Sequence, residues 1–366
     1  LDTEQALAGA DAVGEMGCRE IALIGGEAYL RRDLTQIIAR LASHGIRVGM
    51  QTGGRSVTPA MLEKLRAAGL TQLGVSVDGF AEVHDELRGN VGSHAATVRA
   101  MAAAKEVGLA MSANSQINRL NLPQIEALGR DLRERGALTW QVQLTVPMGR
   151  AADRPDWILE PWQVVDVIDA LARVQLEAAR EHVSGPMFHV AAGNNIGYFG
   201  PHEHILRSAP GGVETHWQGC KAGIYTIGIE SDGSVKGCPS LPSSPYVGGN
   251  VLEESLQHIW NESSAVRFSR DRDTSELWGF CGECYYGDTC RAGCAWTTHC
   301  TVGRRGNNPF CYHRVKELER RGIRERLVQR ERAANQPYDY GRFDIVEEPC
   351  DSPAPAHPRH LRVLPT

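Results

Sequence analysis

The sequence predicts an α/β fold in which strands and helices alternate along the first half of the chain. Two observations carry this prediction. Short apolar runs recur between amphipathic helical segments before residue 150, and each run ends in glycine, serine, threonine, aspartate or asparagine. Such alternation with short connections is typical of parallel β/α units, whose functional residues gather at the carboxyl ends of the strands. At least five strands are predicted in this region, which favours a partial barrel over a complete barrel of eight.

The predicted elements of this region follow a regular order. A helix over 3–16 leads to a first buried strand over 21–24, which stops at the turn Gly25-Gly26-Glu27. Later strands are predicted at 48–51, 73–77, 109–115, 140–146 and 187–192, and helices at 32–44, 59–68, 94–107, 122–135 and 157–182. A β/α unit normally begins with a strand, and here the chain opens on a helix. We therefore expect a first strand and its loop to precede the given sequence.

The second half of the chain has a different pattern. Residues 193–219 are rich in glycine, proline and histidine and predict a loop that covers a site. Its histidines, His202, His204 and His216, are interpreted as surface or hydrogen-bonded side chains, with metal ligation as the alternative. Ser231-Asp232-Gly233 supplies the turn of a hairpin over 225–236. Helices are predicted at 256–268 and, in an Arg- and Glu-rich stretch, at 314–333.

Cysteine is concentrated in this second half. Eight of the ten cysteines lie between positions 220 and 311, a density that indicates metal ligands or disulfides. The sequence has no recognisable signal peptide and no apolar run long enough to span a bilayer, so we expect a cytoplasmic protein with reduced thiols. Metal binding is therefore favoured over disulfides. The net charge of −5 argues against a nucleic-acid binder that depends on bulk electrostatics.

Two classes of metal site fit the cysteine spacing. Cys281 and Cys284 form a Cys-x-x-Cys knuckle, but Cys290 and Cys294 follow with gaps of five and three residues and do not form a second knuckle. Zinc ribbons pair two such knuckles, whereas iron–sulfur clusters often draw one ligand from far along the chain. The spacing favours iron–sulfur and leaves zinc open. Cys220 and Cys238 bracket the predicted hairpin, which would bring them close together.

The complete pattern resembles that of a known enzyme family. Cys220 is followed after twelve residues by Gly233 and after four more by Cys238; Cys281-x2-Cys284-x5-Cys290-x3-Cys294 and finally Cys311 come later. Gly25-Gly26-Glu27 follows the first strand, and Arg88 stands twelve residues beyond Ser76 in Ser76-Val-Asp78-Gly79. This order and spacing resemble the radical S-adenosylmethionine (AdoMet) enzymes that carry a SPASM domain. The resemblance covers about residues 1–335.

The resemblance implies a division of the chain. It implies a partial (β/α)6 TIM-like barrel over 1–192, a linker over 193–219 and a SPASM domain with auxiliary clusters over 220–315. A C-terminal helix over 316–335 and an extended, partly disordered tail over 336–366 complete the prediction. The motif Cys-x3-Cys-x2-Cys that holds the AdoMet-cleaving cluster is absent from the sequence given, and we expect it on the loop that precedes Leu1.

The resemblance also implies the residues of the AdoMet site. Gly25, Gly26 and Glu27 are similar to the turn that binds the AdoMet amino group, since an ammonium needs acceptors. Ser76 and Arg88 are similar to the pair that holds its carboxylate, a role that suits the bidentate guanidinium. Ser112 and Asn114 occupy the positions from which ribose contacts come.

Two auxiliary [4Fe–4S] clusters are implied in addition to the AdoMet-cleaving one. Cys281, Cys284, Cys290 and Cys311 resemble the ligands of the distal cluster, and Cys220, Cys238 and Cys294 resemble three ligands of the nearer cluster. The fourth site of the nearer cluster is predicted to be open, filled by substrate or filled by Cys300; a plain thiol at Cys300 is an equal alternative. Cys18 is interpreted as a core residue and Cys350 as incidental.

The implied activity is peptide maturation. A 5′-deoxyadenosyl radical would abstract hydrogen from a ribosomally made precursor peptide and lead to a carbon–carbon or thioether cross-link or another oxidative modification. The expected partners are that peptide and a reductant such as flavodoxin or ferredoxin, with no nucleic acid and no membrane. The alternatives are maturation of an active-site residue in a folded protein, of the sulfatase or quinoprotein type, a small-molecule radical enzyme, and a non-catalytic electron-transfer or peptide-binding protein.

Overall fold

The fold is built around one parallel sheet of six strands. The structure is a computed structural model that describes residues 1–208, 212–334 and 339–354. The strands of this sheet are β1 (Glu20–Leu23), β2 (Arg47–Thr52), β3 (Leu70–Ser76), β4 (Ala110–Ile117), β5 (Thr139–Leu144) and β6 (His189–Ala192). They lie in the order in which they occur along the chain, and each pairs in parallel with the next. The predicted partial barrel is confirmed.

Helices connect these strands as the sequence predicts. They are α1 (Thr3–Glu15), α2 (Leu34–Ser43), α3 (Pro59–Ala68), α4 (Ala81–Arg88), α5 (Ser93–Glu106), α6 (Ile125–Glu134) and α7 (Gln163–Glu181). Local signals fix several ends: Thr58 caps α3 next to Pro59, and Gly69 ends it in the left-handed region. Helix α4 is an α-helix of the barrel region that the sequence analysis did not predict.

The two faces of the sheet differ in chemistry. Alternate residues such as Met50, Leu73 and Trp140 are buried against the helices and form the main hydrophobic core. The opposite face carries glycine and polar side chains, because Gly74, Ser112 and their neighbours in register share that face. Asn114 Nδ2 donates to Gln51 Oε1 there, and Gln116 Nε2 donates to Gln143 Oε1 at 3.3 Å. A polar inner face is a surface for a polar ligand.

The cysteine-rich region forms a smaller unit of short elements. A three-stranded antiparallel sheet comprises β7 (Gly228–Ile229), β8 (Ser234–Lys236) and β9 (Val247–Asn250), which confirms the predicted hairpin and adds a strand. The helices of this half are α8 (Glu203–Arg207), α9 (Ser243–Tyr246), α10 (Leu256–Glu262), α11 (Ser264–Asp271), α12 (Gly287–Cys290), α13 (Ala295–Val302) and α14 (Tyr312–Glu319). The single helix predicted over 256–268 is two helices, because the extended backbone of Ser263 separates α10 from α11.

The predicted C-terminal helix over 316–335 is wrong. Helix α14 ends at Glu319, Gly322 adopts a positive φ of 73°, and strand β10 (Ile323–Glu331) pairs antiparallel with β11 (Arg342–Pro349). In β10 the side chains of Glu325 and Leu327 are buried, and those of Arg326 and Val328 are exposed. This alternation has the period of two that is typical of a strand, but the many Arg and Glu residues of the segment obscured it in the sequence. The predicted tail over 336–366 contains β11; residues 335–338 and 355–366 lie outside the described residues.

The C-terminal ribbon formed by β10 and β11 returns to the barrel. Asp339 O accepts a hydrogen bond from Gly149 N, and Gly341 N donates to Pro147 O, both at 3.1 Å. Met148, which follows β5, therefore lies opposite Tyr340. No helix in the described part of the chain is long and apolar enough to cross a bilayer.

Candidate functional site

Four of the cysteines surround one small apolar cavity. Cys281 and Cys284 come from the turn before α12, Cys290 from the end of α12 and Cys311 from the start of α14. The cavity is also lined by Phe199, Phe280, Tyr286, Gly287, Ala292 and His313. The sequence analysis implied these four cysteines as the ligands of the distal cluster, and the structure brings them together around one space.

A second set of cysteines lies in a separate apolar cluster. Cys220, Cys238 and Cys294 are close enough for their charges to act on one another. The apolar side chains around Cys220 and Cys238 are Ala222, Leu241, Tyr246, Phe268, Ala295 and Trp296. Burial, with the neighbouring charges of Cys220 and Cys238, raises the pKa of the Cys294 thiol to about 12. The hairpin predicted from Asp232-Gly233 is what brings Cys220 and Cys238 together.

Backbone amides point at these sulfurs. The donors are Asn308 N for Cys281, Gly293 N for Cys290, Arg314 N for Cys311, Ser240 N for Cys238 and Thr297 N for Cys294. All ten cysteines of the chain are free thiols. Hydrogen bonds to the sulfurs and an apolar surrounding are the features by which a protein tunes an iron–sulfur cluster. Both sets of residues therefore fit the clusters that the resemblance implied.

Cys300 is not among the cysteines whose sulfurs receive these backbone hydrogen bonds. It is fully buried on α13, and its sulfur is 4.0 Å from Sδ of Met148, four residues after β5. The indole Nε1 of Trp296 reaches the same Met148 Sδ at 3.3 Å. In the described residues, no group of three or more His, Cys, Asp or Glu side chains is close enough to hold a single metal ion. Cys18 packs against the core, and Cys350 is exposed.

The predicted AdoMet residues come from the turn after β1, the end of β3, helix α4 and the inner face of β4. The Glu27 carboxylate accepts hydrogen bonds from Thr52 Oγ1 at 2.6 Å and from Gly53 N at 2.9 Å. These contacts tie the turn after β1 to the end of β2. Gly25 in this turn has a φ of 121°, which favours glycine and leaves the backbone open beside the carboxylate.

The Arg88 side chain is held by a buried carboxylate that the sequence analysis quoted without giving it a role. Arg88 Nη2 lies 2.6 Å from Asp78 Oδ2, and Asp78 Oδ1 accepts a hydrogen bond from Gln116 N. Arg88 Nε is buried and has no hydrogen-bond partner among the described atoms. A buried donor without a partner is costly, so this nitrogen fits an anionic ligand such as the AdoMet carboxylate.

His84 supports Asp78 from the same helix that carries Arg88. Its Nδ1 accepts a hydrogen bond from Asp78 N at 3.0 Å, and burial lowers the pKa of the imidazole to about 4. Because α4 was not predicted, the sequence analysis missed His84. The helical spacing of Val83, Glu86 and Leu87 behind Asp78-Gly79 was the available signal.

The remaining predicted residues line the inner face of the sheet. Ser76 ends β3 and is paired in register with Asn114 of β4, while Ser112 is paired with Gly74. Ser76 and Asn114 thus lie side by side, and Asn114 donates to Gln51 Oε1. The structure therefore collects Glu27, Arg88 and these side chains at one end of the sheet.

Two family models match the chain at the two sites just described. The Radical SAM superfamily model matches residues 1–117, and the SPASM model, an iron–sulfur cluster-binding domain, matches residues 220–285. The chain therefore contains a radical SAM domain and a SPASM domain, and the cofactors of these two domains are AdoMet and iron–sulfur clusters.

Curated relatives of this chain include enzymes with different names. An AdoMet-dependent heme synthase of Methanosarcina barkeri is 29% identical over 328 residues, which cover 86% of this chain and 88% of the relative. The mycofactocin maturase MftC of Mycobacterium tuberculosis is also 29% identical, over 95% of this chain and 83% of its own length.

Solved structures share the fold at lower identity. Native anSMEcpe with bound AdoMet superposes with a TM-score of 0.62 and 16% identity over 85% of this chain and 84% of its own. Streptococcus suis SuiB superposes with a TM-score of 0.64 and 15% identity over 84% of this chain and 69% of its own. These likenesses establish the fold and no more.

Proposed function

We propose that this enzyme is a maturase that acts on a ribosomally made precursor peptide. The observation that carries the proposal is the similarity to a mycofactocin maturase along 95% of the chain. Two solved structures of the same fold, anSMEcpe and SuiB, contain a bound peptide. The product would be a cross-linked or otherwise oxidised peptide.

A second candidate function follows from a different finding. Three relatives that are 25–29% identical over at least 80% of this chain are named AdoMet-dependent heme synthases. The same chemistry would then act on an iron porphyrin instead of a peptide. The two candidates share the AdoMet site and differ in what occupies the space above it.

The residues at the end of the sheet would position AdoMet for its cleavage. When bound, the AdoMet-cleaving cluster supplies the single electron that splits AdoMet into methionine and the 5′-deoxyadenosyl radical. Arg88, oriented by Asp78, would hold the AdoMet carboxylate with its free Nε. The Glu27 carboxylate and the carbonyl groups of Gly25 and Gly26 would accept from the ammonium group. Ser112 and Asn114 would meet the ribose.

The substrate would bind where the cysteine-rich unit and the C-terminal ribbon approach the barrel. Trp296 and Cys300 of α13 meet Met148 after β5, and Tyr340 of the ribbon lies opposite that residue. Such a closed arrangement keeps water away from a reactive radical. The cysteine-rich unit would hold the auxiliary clusters beside the substrate.

The test compares two candidate substrates in separate incubations with the full-length protein, purified and reconstituted without oxygen. The protein is incubated with AdoMet and a reductant, together with either a short peptide encoded beside its gene or an iron porphyrin. We expect 5′-deoxyadenosine to accumulate with the peptide, accompanied by a mass change in the peptide. A mass change in the porphyrin alone would overturn the proposal in favour of the second candidate.

A matched pair of variants controls this assay. Cys350 is exposed and belongs to neither cysteine set, so Cys350→Ser should keep full activity. Cys311 lines the distal cavity, so Cys311→Ser should lose the peptide modification. If both variants modified the peptide equally well, the cysteine-rich unit would have no part in the reaction.

A further inference from the structure

Arg272 is a buried cation without an ion-pair partner in the described residues. It follows the last residue of α11, and only 8% of its surface is exposed. Its backbone N–H donates to Phe268 O at 3.1 Å, but its side-chain Nε has no hydrogen-bond partner among the described atoms. An unpaired buried charge is strongly destabilising, so an anion that the protein binds should compensate it.

The neighbouring buried and half-buried cations are already compensated. Lys236 Nζ lies 2.7 Å from Glu230 Oε1, and Arg305 Nη2 lies 2.8 Å from Glu276 Oε1. Beside the distal cysteines, Arg314 Nε donates to Glu325 Oε2 at 2.6 Å, and both side chains are buried. Arg272 therefore differs from these three residues, since each of them has a carboxylate within ion-pair distance and Arg272 has none among the described residues.

Arg272 lies close enough to the nearer set for the charge of Cys220 to act on its guanidinium. Helix α11 packs on the hairpin so closely that a Cβ on Gly223 or Gly237 would clash with, or press on, the carbonyl of Val266. Phe268, one turn before Arg272, packs in the same apolar cluster as Cys220 and Cys238. Burial lowers the pKa of the Arg272 guanidinium, and a negative charge on Cys220 opposes that shift more than the next contributor, the Glu276 carboxylate, does.

We propose that Arg272 is the buried counter-cation of the nearer iron–sulfur cluster and stabilises the reduced form of that cluster. The proposal rests on Cys220, Cys238 and Cys294 as its ligands, and it does not depend on the identity of the substrate. Reduction by one electron adds a negative charge at a buried site, and net charge nearby is one of the factors that set the potential of such a cluster. Because Glu325 offsets the charge of Arg314, the distal cluster lacks an equivalent stabilisation. The nearer cluster is therefore the more easily reduced of the two.

The test is a potentiometric titration of the anaerobically reconstituted full-length protein, followed by electron paramagnetic resonance. The signal of the nearer cluster is the one that is lost in Cys220→Ser. In Arg272→Gln we expect the ratio of reduced to oxidised nearer cluster, at a fixed potential, to fall at least tenfold, which is about 59 mV for one electron. Arg272→Lys keeps the charge and should change that ratio less than threefold.

Arg267→Gln is the matched control, since it removes an arginine from the same helix that is exposed and paired with Asp271. That variant should leave the ratio unchanged. An unchanged ratio in Arg272→Gln would overturn the proposal, as would an equal fall in the control.

If a variant does not assemble the cluster, its iron and sulfide content shows whether the charge or the shape of the Arg272 side chain is required. Loss of about four irons in Arg272→Gln but not in Arg272→Lys would support a role for the positive charge. Loss in both variants would overturn the proposal, because it would show that the shape of arginine, and not its charge, is required. No arm of this experiment includes a peptide or a porphyrin, so its failure is distinct from a failure of the proposed function.

Discussion

Replacing Arg88 with methionine should weaken AdoMet binding through the loss of one charge-assisted contact. The Arg88 guanidinium is fixed by Asp78 at 2.6 Å and keeps a buried Nε with no partner in the described structure. A hydrogen bond to a charged group contributes about 1.5–3 kcal/mol, and 1.4 kcal/mol is a tenfold change in affinity. We therefore expect the Kd for AdoMet to rise about 10- to 100-fold in Arg88→Met.

Equilibrium dialysis of the reconstituted protein against AdoMet and against a decarboxylated analogue measures this effect. The wild-type protein should bind the analogue 10- to 100-fold more weakly than AdoMet. In Arg88→Met the two ligands should bind almost equally, because the partner of the carboxylate is gone. If the variant lost as much affinity for the analogue as for AdoMet, Arg88 would not be the carboxylate contact. Arg150→Met is a matched control, since that guanidinium donates to Leu87 O nearby.

Three further predictions concern the cysteines and the support of the AdoMet site. Cys290→Ala should lower the iron content by about four per chain, since Cys290 lines the distal cavity; an unchanged iron content would remove it from the ligand set. Cys300→Ser should keep the full iron content, because the Cys300 sulfur contacts Met148 Sδ; a loss of iron would instead identify Cys300 as the fourth ligand of the nearer cluster. The lowered pKa of His84, about 4 against 6.5, means that the unfolded chain takes up a proton first as the pH falls. The free energy of unfolding of the wild-type protein should therefore fall as the pH drops from about 6.5 to about 4. The urea midpoint of His84→Gln should vary less with pH over that range than the wild-type midpoint. An equal pH dependence of the two midpoints would contradict the buried, neutral state of His84.

The barrel could be predicted because its signals are local. Each strand of the parallel sheet is a short apolar run, and residues such as Gly25 and Gly69 mark the ends of elements with conformations that glycine adopts easily. The division of the cysteines into two sets was implied by the resemblance to a known family. The structure adds the physical reason, since the hairpin brings Cys220 to Cys238 and α12 brings Cys290 to the Cys281 knuckle.

The errors arose where contacts distant in sequence decide the local structure. Glu325 can be buried because its carboxylate pairs with Arg314, eleven residues earlier. That ion pair stabilises a strand in a segment whose individual residues have a higher propensity for helix. The partner strand of β10 begins at Arg342, so local periodicity could not reveal the ribbon. In the AdoMet site, Asp78 was visible as a turn residue, but its contact with Arg88 required the unpredicted helix α4.

The two cysteine sets are interleaved along the chain, and this affects how the protein is made. Cys294 of the nearer set lies between Cys290 and Cys311 of the distal set, and only the turn of residues 291–293 separates it from Cys290. Closing the distal set fixes the loop that carries Cys294, and so lowers the entropy lost when the nearer set closes. Insertion of the first cluster should therefore promote insertion of the second. A cell short of iron would then contain mostly fully loaded and empty molecules, with few that carry a single auxiliary cluster.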